Sequence, residues 1–389
     1  MILENMIAKK VAAIPPSGIR KYFDVANEMG DAISLGVGEP DFDTPWHVRE
    51  EAIYSLEKGK TVYSANAGLL ELRKEICNYM QRRFDLTYSP TKQCLVTVGG
   101  SEGIDLAIRT LIEPGEEVLI PEPSYVSYRP CAILAGAVPV PIPTLEEDNF
   151  KLTAKALEEA ITPKTKILIL PFPNNPTGAI MEREDLEEIA KVLRDKNIII
   201  ISDEIYAELT YGGQHVSIAS IEGMYERTIV LSGFSKAYSM TGWRIGYALG
   251  PEPIIAMMTK VHQFAIMCPP TTSQYAAIEA MRNGDEDVKI MQTAYDQRRR
   301  VMIDGFRSMG LSCFEPKGAF YVFPCIKSTG MTSEEFCEKL LMDQRVAVVP
   351  GTAFGESGEG FIRASYAYSI EAIKEALARI EVFVKKHIK

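Results

Sequence analysis

Histidine is scarce in this sequence, and no two cysteines stand at metal-binding or redox spacing. The four histidines (His47, His215, His262 and His387) are isolated from one another and from cysteine, so no metal site is expected. Seven cysteines, at 77, 94, 131, 268, 313, 325 and 337, are an odd number without a CxxC. They read as reduced thiols of a cytoplasmic protein rather than a disulfide framework. The opening "MILENMIAKK" lacks the apolar core of a secretory leader, and no run is long and apolar enough to span a membrane. Blocks of like charge do not exceed "LEED" or "KVLRDK", and the net charge of -10 is dispersed, which makes nucleic acid and anionic membranes poor partners. A GxGxxG turn is also missing where a dinucleotide-binding enzyme would carry it. No internal repeat or low-complexity segment appears.

What is present is a long, balanced globular chain. Its 389 residues are 46% hydrophobic and 24% charged, enough for one large domain with a second, smaller one. Between about residues 93 and 250, short apolar runs alternate with amphipathic ones. "CLVTV", "EVLIP", "AVPVPI", "KILILPF", "IIIISDE", "TIVLS" and "WRIGYAL" predict seven strands, several apolar on both faces as parallel strands between helices are. Helices are expected at "SEGIDLAIRTLI" and "REDLEEIAKVLRDK". This α/β rhythm predicts a mostly parallel seven-stranded sheet with ligands bound beyond the carboxyl ends of its strands. The flanks differ: a helical start broken by "IPPSG", and, from about residue 287, helices mixed with strands "AFYVFP" and "VAVVP". The expected division is a large domain over 47–286, and a smaller α+β domain built from 287–389 with 1–46, which includes an N-terminal arm.

The stretch "GFSKAYSMTGWRIG" puts Lys236 just beyond an apolar strand, with Arg244 eight residues on. A lysine in apolar surroundings is unfavourable unless its amine is used, and desolvation together with a nearby cation turns it into a nucleophile toward a carbonyl. If the partner is pyridoxal phosphate, four further groups are required: a carboxylate for the ring nitrogen, a donor for the phenolic oxygen, an aromatic ring to stack on, and an anion nest. "VTVGGSEGIDLAI" offers backbone N–H groups near Gly99, Gly100 and Ser101 at a helix start. Asp203 and Tyr206 follow the isoleucine run in "IIIISDEIYAELTY". Asn175 lies in "LPFPNNPTGAI" and Tyr125 in "PEPSYVSY". All fall at or just beyond predicted strand ends, on one edge of the sheet.

These segments, with "YSANAGLLELR", "GVGEPDFDTP", "KGAFYVF" and "VPGTAFG", resemble the class I pyridoxal-phosphate aminotransferases of fold type I, most of all the bacterial and archaeal aspartate and aromatic amino acid aminotransferases. The motifs run in the family's order from about residue 30 to the C-terminus. The resemblance implies that Lys236 forms a Schiff base with pyridoxal 5′-phosphate and later carries a proton. Asp203 would pair with the ring nitrogen, while Tyr206 and Asn175 hold the phenolic oxygen. Arg244, Ser235 and the Gly100–Ser101 turn would hold the phosphate, and Tyr125 would stack on the ring. Arg363, in "GFIRASYA", would take the substrate α-carboxylate with help from Asn175 and the backbone of Gly38. Tyr63 would reach the phosphate in the other subunit of a homodimer.

Two positions depart from the resemblance. Gly233 stands where serine is frequent, which would shift phosphate binding toward Ser235, and Tyr125 stands where tryptophan or phenylalanine is frequent. The reaction implied is transfer of an α-amino group from an aromatic L-amino acid or aspartate to a 2-oxo acid, 2-oxoglutarate, in a ping-pong cycle. An N-acetyl-diaminopimelate type aminotransferase and a carbon–sulfur lyase on the same fold are the alternatives. A transcription regulator with such a domain is not expected, because about thirty residues before "ISLGVGEPDF" are too few for a DNA-binding domain. No local feature singles out Arg20, Arg109 or Arg129 for a side-chain carboxylate.

Overall fold

The structure, a computed structural model, describes residues 6–16, 18 and 29–388. Its strands are β1 (Ile33–Ser34), β2 (Cys94–Thr97), β3 (Glu117–Glu122), β4 (Val138–Pro143), β5 (Thr165–Leu170), β6 (Ile199–Asp203), β7 (Thr228–Gly233), β8 (Gly246–Leu249), β9 (Tyr321–Val322), β10 (Val346–Ala347), β11 (Val349–Pro350) and β12 (Ile362–Ser365). The seven runs between residues 94 and 249 form one sheet, in the order β2-β8-β7-β6-β5-β3-β4. Only β8 opposes its neighbours; β3 to β7 pair in parallel. Strands β2, β7 and β8 are buried at every position, because helices cover both faces. The fold is the expected α/β architecture.

Local chemistry explains the ends and edges of these elements. In the outer strand β4, Pro139, Pro141 and Pro143 share one parity, so the N–H groups missing from them are those of the free edge. The other parity is intact, and Val138 N–H donates to Glu116 at 2.8 Å. The helix Arg183–Leu193 opens with reciprocal capping between Glu182 and Asp185 and buries Leu186, Ile189, Ala190 and Leu193, one face at helical spacing.

Two small sheets lie beyond the large one. β1 pairs in parallel with β10, and β9, β12 and β11 form an antiparallel three-stranded sheet. "VAVVP", expected as one strand, is split at Val348: its first half pairs with β1 and its second with β12. The helices Asp285–Ser308, Ser333–Gln344 and Ile370–Lys385 pack on these sheets around one apolar core, which Tyr206, Leu209 and Tyr211 join from beyond β6. The large sheet has its own apolar clusters on its two faces. The carboxyl ends of β3, β5, β6 and β7 therefore face the three-stranded sheet. Because β8 runs backwards, its amino end, preceded by Arg244, lies at that same edge.

Candidate active site

A cavity of about 880 Å³ opens at this edge, and Gly38, Gly100, Ser101, Tyr125, Asn175, Asp203, Tyr206, Ser235, Lys236, Arg244 and Arg363 all line it. The structure thus brings together the residues given a cofactor or substrate role from the sequence, except Tyr63; Gly99, named with Gly100 and Ser101, does not itself line the cavity. Tyr63 lies outside the cavity and is 79% exposed. Arg109 pairs with Asp105 at 2.6 Å and Arg129 with Glu122 at 3.0 Å, and neither lines the cavity. Arg20 lies outside the described residues. No metal-holding cluster occurs among the described residues.

Lys236 follows β7 and donates from Nζ to the carbonyl oxygen of Gly38 at 2.5 Å. Burial lowers its pKa to about 8, with Arg363 and Arg244 pushing the same way and Glu39 and Asp203 opposing. The uncharged amine becomes the main form only above about pH 8, well below the range of an ordinary lysine. Arg244 adopts a left-handed backbone, φ 51°, and donates to the carbonyl oxygen of Thr241 at 2.8 Å. Its guanidinium reaches the start of the helix Gly99–Leu111, where Glu102 accepts the N–H of Val98. Gly99 has φ 73°, and a Cβ there would lie 2.7 Å from Arg244 Nη2.

Gly233 has a steric cause. A Cβ at this position would lie 2.9 Å from Cα of Gly246 and 3.1 Å from the carbonyl oxygen of Ile245, so serine does not fit here without movement of β8. The side chain that remains nearby is Ser235, buried in the cavity wall.

Asp203 ends β6 and accepts a 2.7 Å hydrogen bond from the hydroxyl of Tyr128 on Oδ2, while the N–H of Ile205 approaches Oδ1 at 3.3 Å. Burial raises the carboxyl pKa, and the Tyr128 bond partly offsets that. The Tyr206 hydroxyl lies 2.8 Å from that of Tyr321. Ser101 Oγ is 3.5 Å from the Tyr125 hydroxyl.

Arg363, on β12, is 1% exposed and has no carboxylate partner among the described residues. It donates from Nη1 to Asn175 Oδ1 at 2.8 Å and from Nη2 to the Gly36 carbonyl oxygen at 2.5 Å, while Nε has no partner among the described residues. The guanidinium lies 4.4 Å from the Tyr321 ring centroid and 4.8 Å from that of Phe354. Burial depresses its pKa below the usual arginine range. A buried guanidinium with an idle donor, facing a cavity, is suited to a planar anion.

Sequence reasoning passed over two participants, Tyr128 and Tyr321. Tyr128 stands three residues after Tyr125, at the start of the helix Tyr128–Ala135, and Tyr321 lies inside the "KGAFYVF" segment. Spacing alone did not tell either from a core tyrosine.

A mostly parallel sheet carries a lysine, an arginine and a buried aspartate at one edge, and a second, buried arginine faces them from β12. Residues 30–380 match the family described as Aminotransferase class I and II. The chain is 52% identical over 384 residues to the Bacillus subtilis (strain 168) protein named "Putative aminotransferase YugH", covering 99% of this chain and all of that one. It is 45% identical to the aspartate aminotransferase of Pyrococcus abyssi, over 98% of both chains. The solved structure of an aromatic aminotransferase from Pyrococcus horikoshii OT3 matches with a TM-score of 0.90 and 45% identity, covering 93% of this chain and 98% of that one. The chain belongs to the class I and II aminotransferases, and membership implies pyridoxal 5′-phosphate as cofactor.

Proposed function

We propose that this aminotransferase moves the α-amino group of an aromatic L-amino acid or aspartate to a 2-oxo acid, 2-oxoglutarate, in two half-reactions at the cavity around Lys236. The observation that carries this is the set of three cations, Lys236, Arg244 and Arg363, facing one cavity with the buried Asp203. Such a cavity suits an anionic cofactor and an anionic substrate held together. Its wall of Tyr125, Tyr128 and Tyr321 offers aromatic surface to an aromatic donor.

The residues present fit pyridoxal 5′-phosphate: an amine for the aldehyde, a carboxylate for the ring nitrogen, and a helix start with an arginine for the phosphate. When bound, the cofactor supplies an electron sink for the substrate Cα. Lys236, whose Nζ faces the cavity, would take the substrate's Cα proton and deliver it to a different carbon, as transamination requires. Asp203, whose carboxyl pKa is raised by burial with the Tyr128 hydrogen bond opposing, would pair with the ring nitrogen. Tyr206 and Asn175 address the phenolic oxygen, and Gly100, Ser101, Ser235 and Arg244 the phosphate, with Tyr125 against the ring. Arg363 holds the α-carboxylate, helped by Asn175 and the backbone of Gly38.

We extend the reading to assembly and location. The exposed Val62, Tyr63, Phe264 and Met267 support a homodimer with Tyr63 crossing to the partner's phosphate site, since such a patch favours burial against a second copy. Hydrogen bonds from Thr271 Oγ1 to Val62 and from Asn66 Nδ2 to Met267, both 2.9 Å, tie the two segments together. The core around the small sheets, drawn mainly from residues beyond 290 with Leu35, supports the division into 47–286 and 1–46 with 287–389, while Tyr206, Leu209 and Tyr211 join it and Phe323 and Phe361 pack with the large sheet. Seven free cysteines support a cytoplasmic location. The decisive test is a panel of amino donors with 2-oxoglutarate, scoring glutamate and the keto-acid product together. Release of ammonia or sulfide without glutamate would overturn the proposal in favour of a lyase.

A further inference from the structure

Tyr321 stands where the two halves of the cavity meet. It is 1% exposed on the two-residue strand β9, and three of its surfaces touch functional groups. Its hydroxyl lies 2.8 Å from the Tyr206 hydroxyl. Its ring carries the Arg363 guanidinium at 4.4 Å. The hydroxyl also fills the space beside Gly38, since a Cβ there would overlap it. Gly38 in turn accepts the Lys236 amine at 2.5 Å.

We propose that Tyr321 is a positioning residue for both halves of the site: its ring supports Arg363 and its hydroxyl orients the hydroxyl of Tyr206. The inference rests on the roles proposed above for Arg363 and Tyr206. A guanidinium over an aromatic face is attracted by the ring quadrupole, more strongly when desolvated, and that attraction keeps a buried arginine in place while no anion is bound. A Tyr206 hydroxyl that gives its one proton to the cofactor's phenolic oxygen has none left for Tyr321, so the 2.8 Å contact then has Tyr321 donating and Tyr206 accepting. A donor that itself accepts a hydrogen bond is the stronger donor. The two functions separate by atom: the ring serves Arg363 and the oxygen serves Tyr206.

Two substitutions exploit that separation. Tyr321→Phe keeps the ring and removes the oxygen, whereas Tyr321→Leu removes both. The first readout is the pH titration of the bound cofactor's absorbance, with Tyr206→Phe as reference. The second is KM against kcat for one amino donor. Tyr321→Phe should move the titration in the same direction as Tyr206→Phe but less far, by about half a unit to one unit, and leave KM near wild type. Tyr321→Leu should add a rise in KM of roughly fivefold to thirtyfold. If Tyr206→Phe moves the titration and Tyr321→Phe does not, the proposal falls while the reading of the site stands. If Tyr206→Phe leaves the titration unmoved, the role of Tyr206 falls and the proposal with it. A KM raised as much by Tyr321→Phe as by Tyr321→Leu would likewise overturn the assignment of the ring. The phenylalanine variant retains the core packing, so the titration is readable even where the leucine variant folds poorly.

Discussion

The guanidinium of Arg244 occupies the space that a side chain on Gly99 would need, with Nη2 2.7 Å from the position of a Cβ. Two segments far apart in sequence interlock there, and the interlock places a cation at a helix start. Gly99→Ala should therefore act twice. At φ 73° alanine adds roughly 1–2 kcal/mol of backbone strain, and the displaced arginine weakens cofactor binding about tenfold, as for one charge-assisted hydrogen bond. Thermal unfolding of the apoprotein and a cofactor titration measure the two effects separately. Cofactor affinity equal to wild type would show that Arg244 does not serve the phosphate.

The pH dependence of Lys236 has a definite sign. Its folded-state pKa of about 8 lies below the value of an unfolded lysine, so the charged form disfavours the folded state. That penalty is complete below pH 8 and is relieved as pH rises from 8 toward the unfolded value. Lys236→Met should thus stabilise the apoprotein more at pH 7 than at pH 10. Cofactor uptake by the wild-type apoprotein should quicken with a midpoint near pH 8, and Glu39→Gln should lower that midpoint. A rate flat from pH 7 to 10 would contradict the assignment.

Arg363→Ala should reduce kcat/KM for every accepted amino acid by about 2–5 kcal/mol, the range for losing one partner of a buried charge pair. Arg363→Lys should restore only part, because a point charge cannot reproduce the two-pronged donor. Unchanged kinetics in Arg363→Ala would mean that the α-carboxylate binds elsewhere.

For Asp203→Ala, some cofactor binding should persist while turnover falls on the order of a hundredfold or more, since a preorganised charge at the reacting ring is removed. Tyr128→Phe is the milder companion. Loss of its 2.7 Å hydrogen bond raises the Asp203 pKa further and should lower turnover by about tenfold or less. Near-normal turnover in Asp203→Ala would reduce the carboxylate to a structural role.

Tyr63 is tested in a heterodimer of one Lys236→Ala chain and one Tyr63→Phe chain. If the tyrosine acts across the interface, the site with the intact lysine receives a wild-type Tyr63 and binds cofactor normally. If it acts within its own chain, that site loses about 1.5–3 kcal/mol of cofactor affinity, the value of a hydrogen bond to a charged group. The measured affinity, set beside the Tyr63→Phe homodimer, separates the two arrangements.

The strands were legible because buried parallel strands write long apolar runs, and all seven runs between residues 94 and 249 are strands of one sheet. Their order was not legible, since an isoleucine run specifies burial and not its neighbour. "VAVVP" shows the limit: its pattern gives no sign that Val346 and Val349 serve different sheets. At the site, Lys236 and Asp203 were readable as charges in apolar surroundings, whereas Arg363, in "GFIRASYA", was reached only through the family resemblance. Tyr128 and Tyr321 were not readable, because a buried tyrosine looks the same whether its hydroxyl meets a carbonyl or a functional group. The sequence showed that Gly233 departs from the frequent serine, but the cause lies in Gly246, brought alongside only by the pairing of β7 with β8.

That antiparallel pairing has a mechanical corollary. Lys236 and Arg244 belong to the single connection between β7 and β8, both ends of which are pinned by strand hydrogen bonds in the middle of the sheet. The amine that would grip one end of the cofactor and the cation that would grip the other are parts of one stiff bracket. Arg363 hangs from a different sheet, on strands two to four residues long. A tilt of the small sheet against the large one would carry the substrate's anchor with it and leave the cofactor's two anchors in fixed mutual alignment.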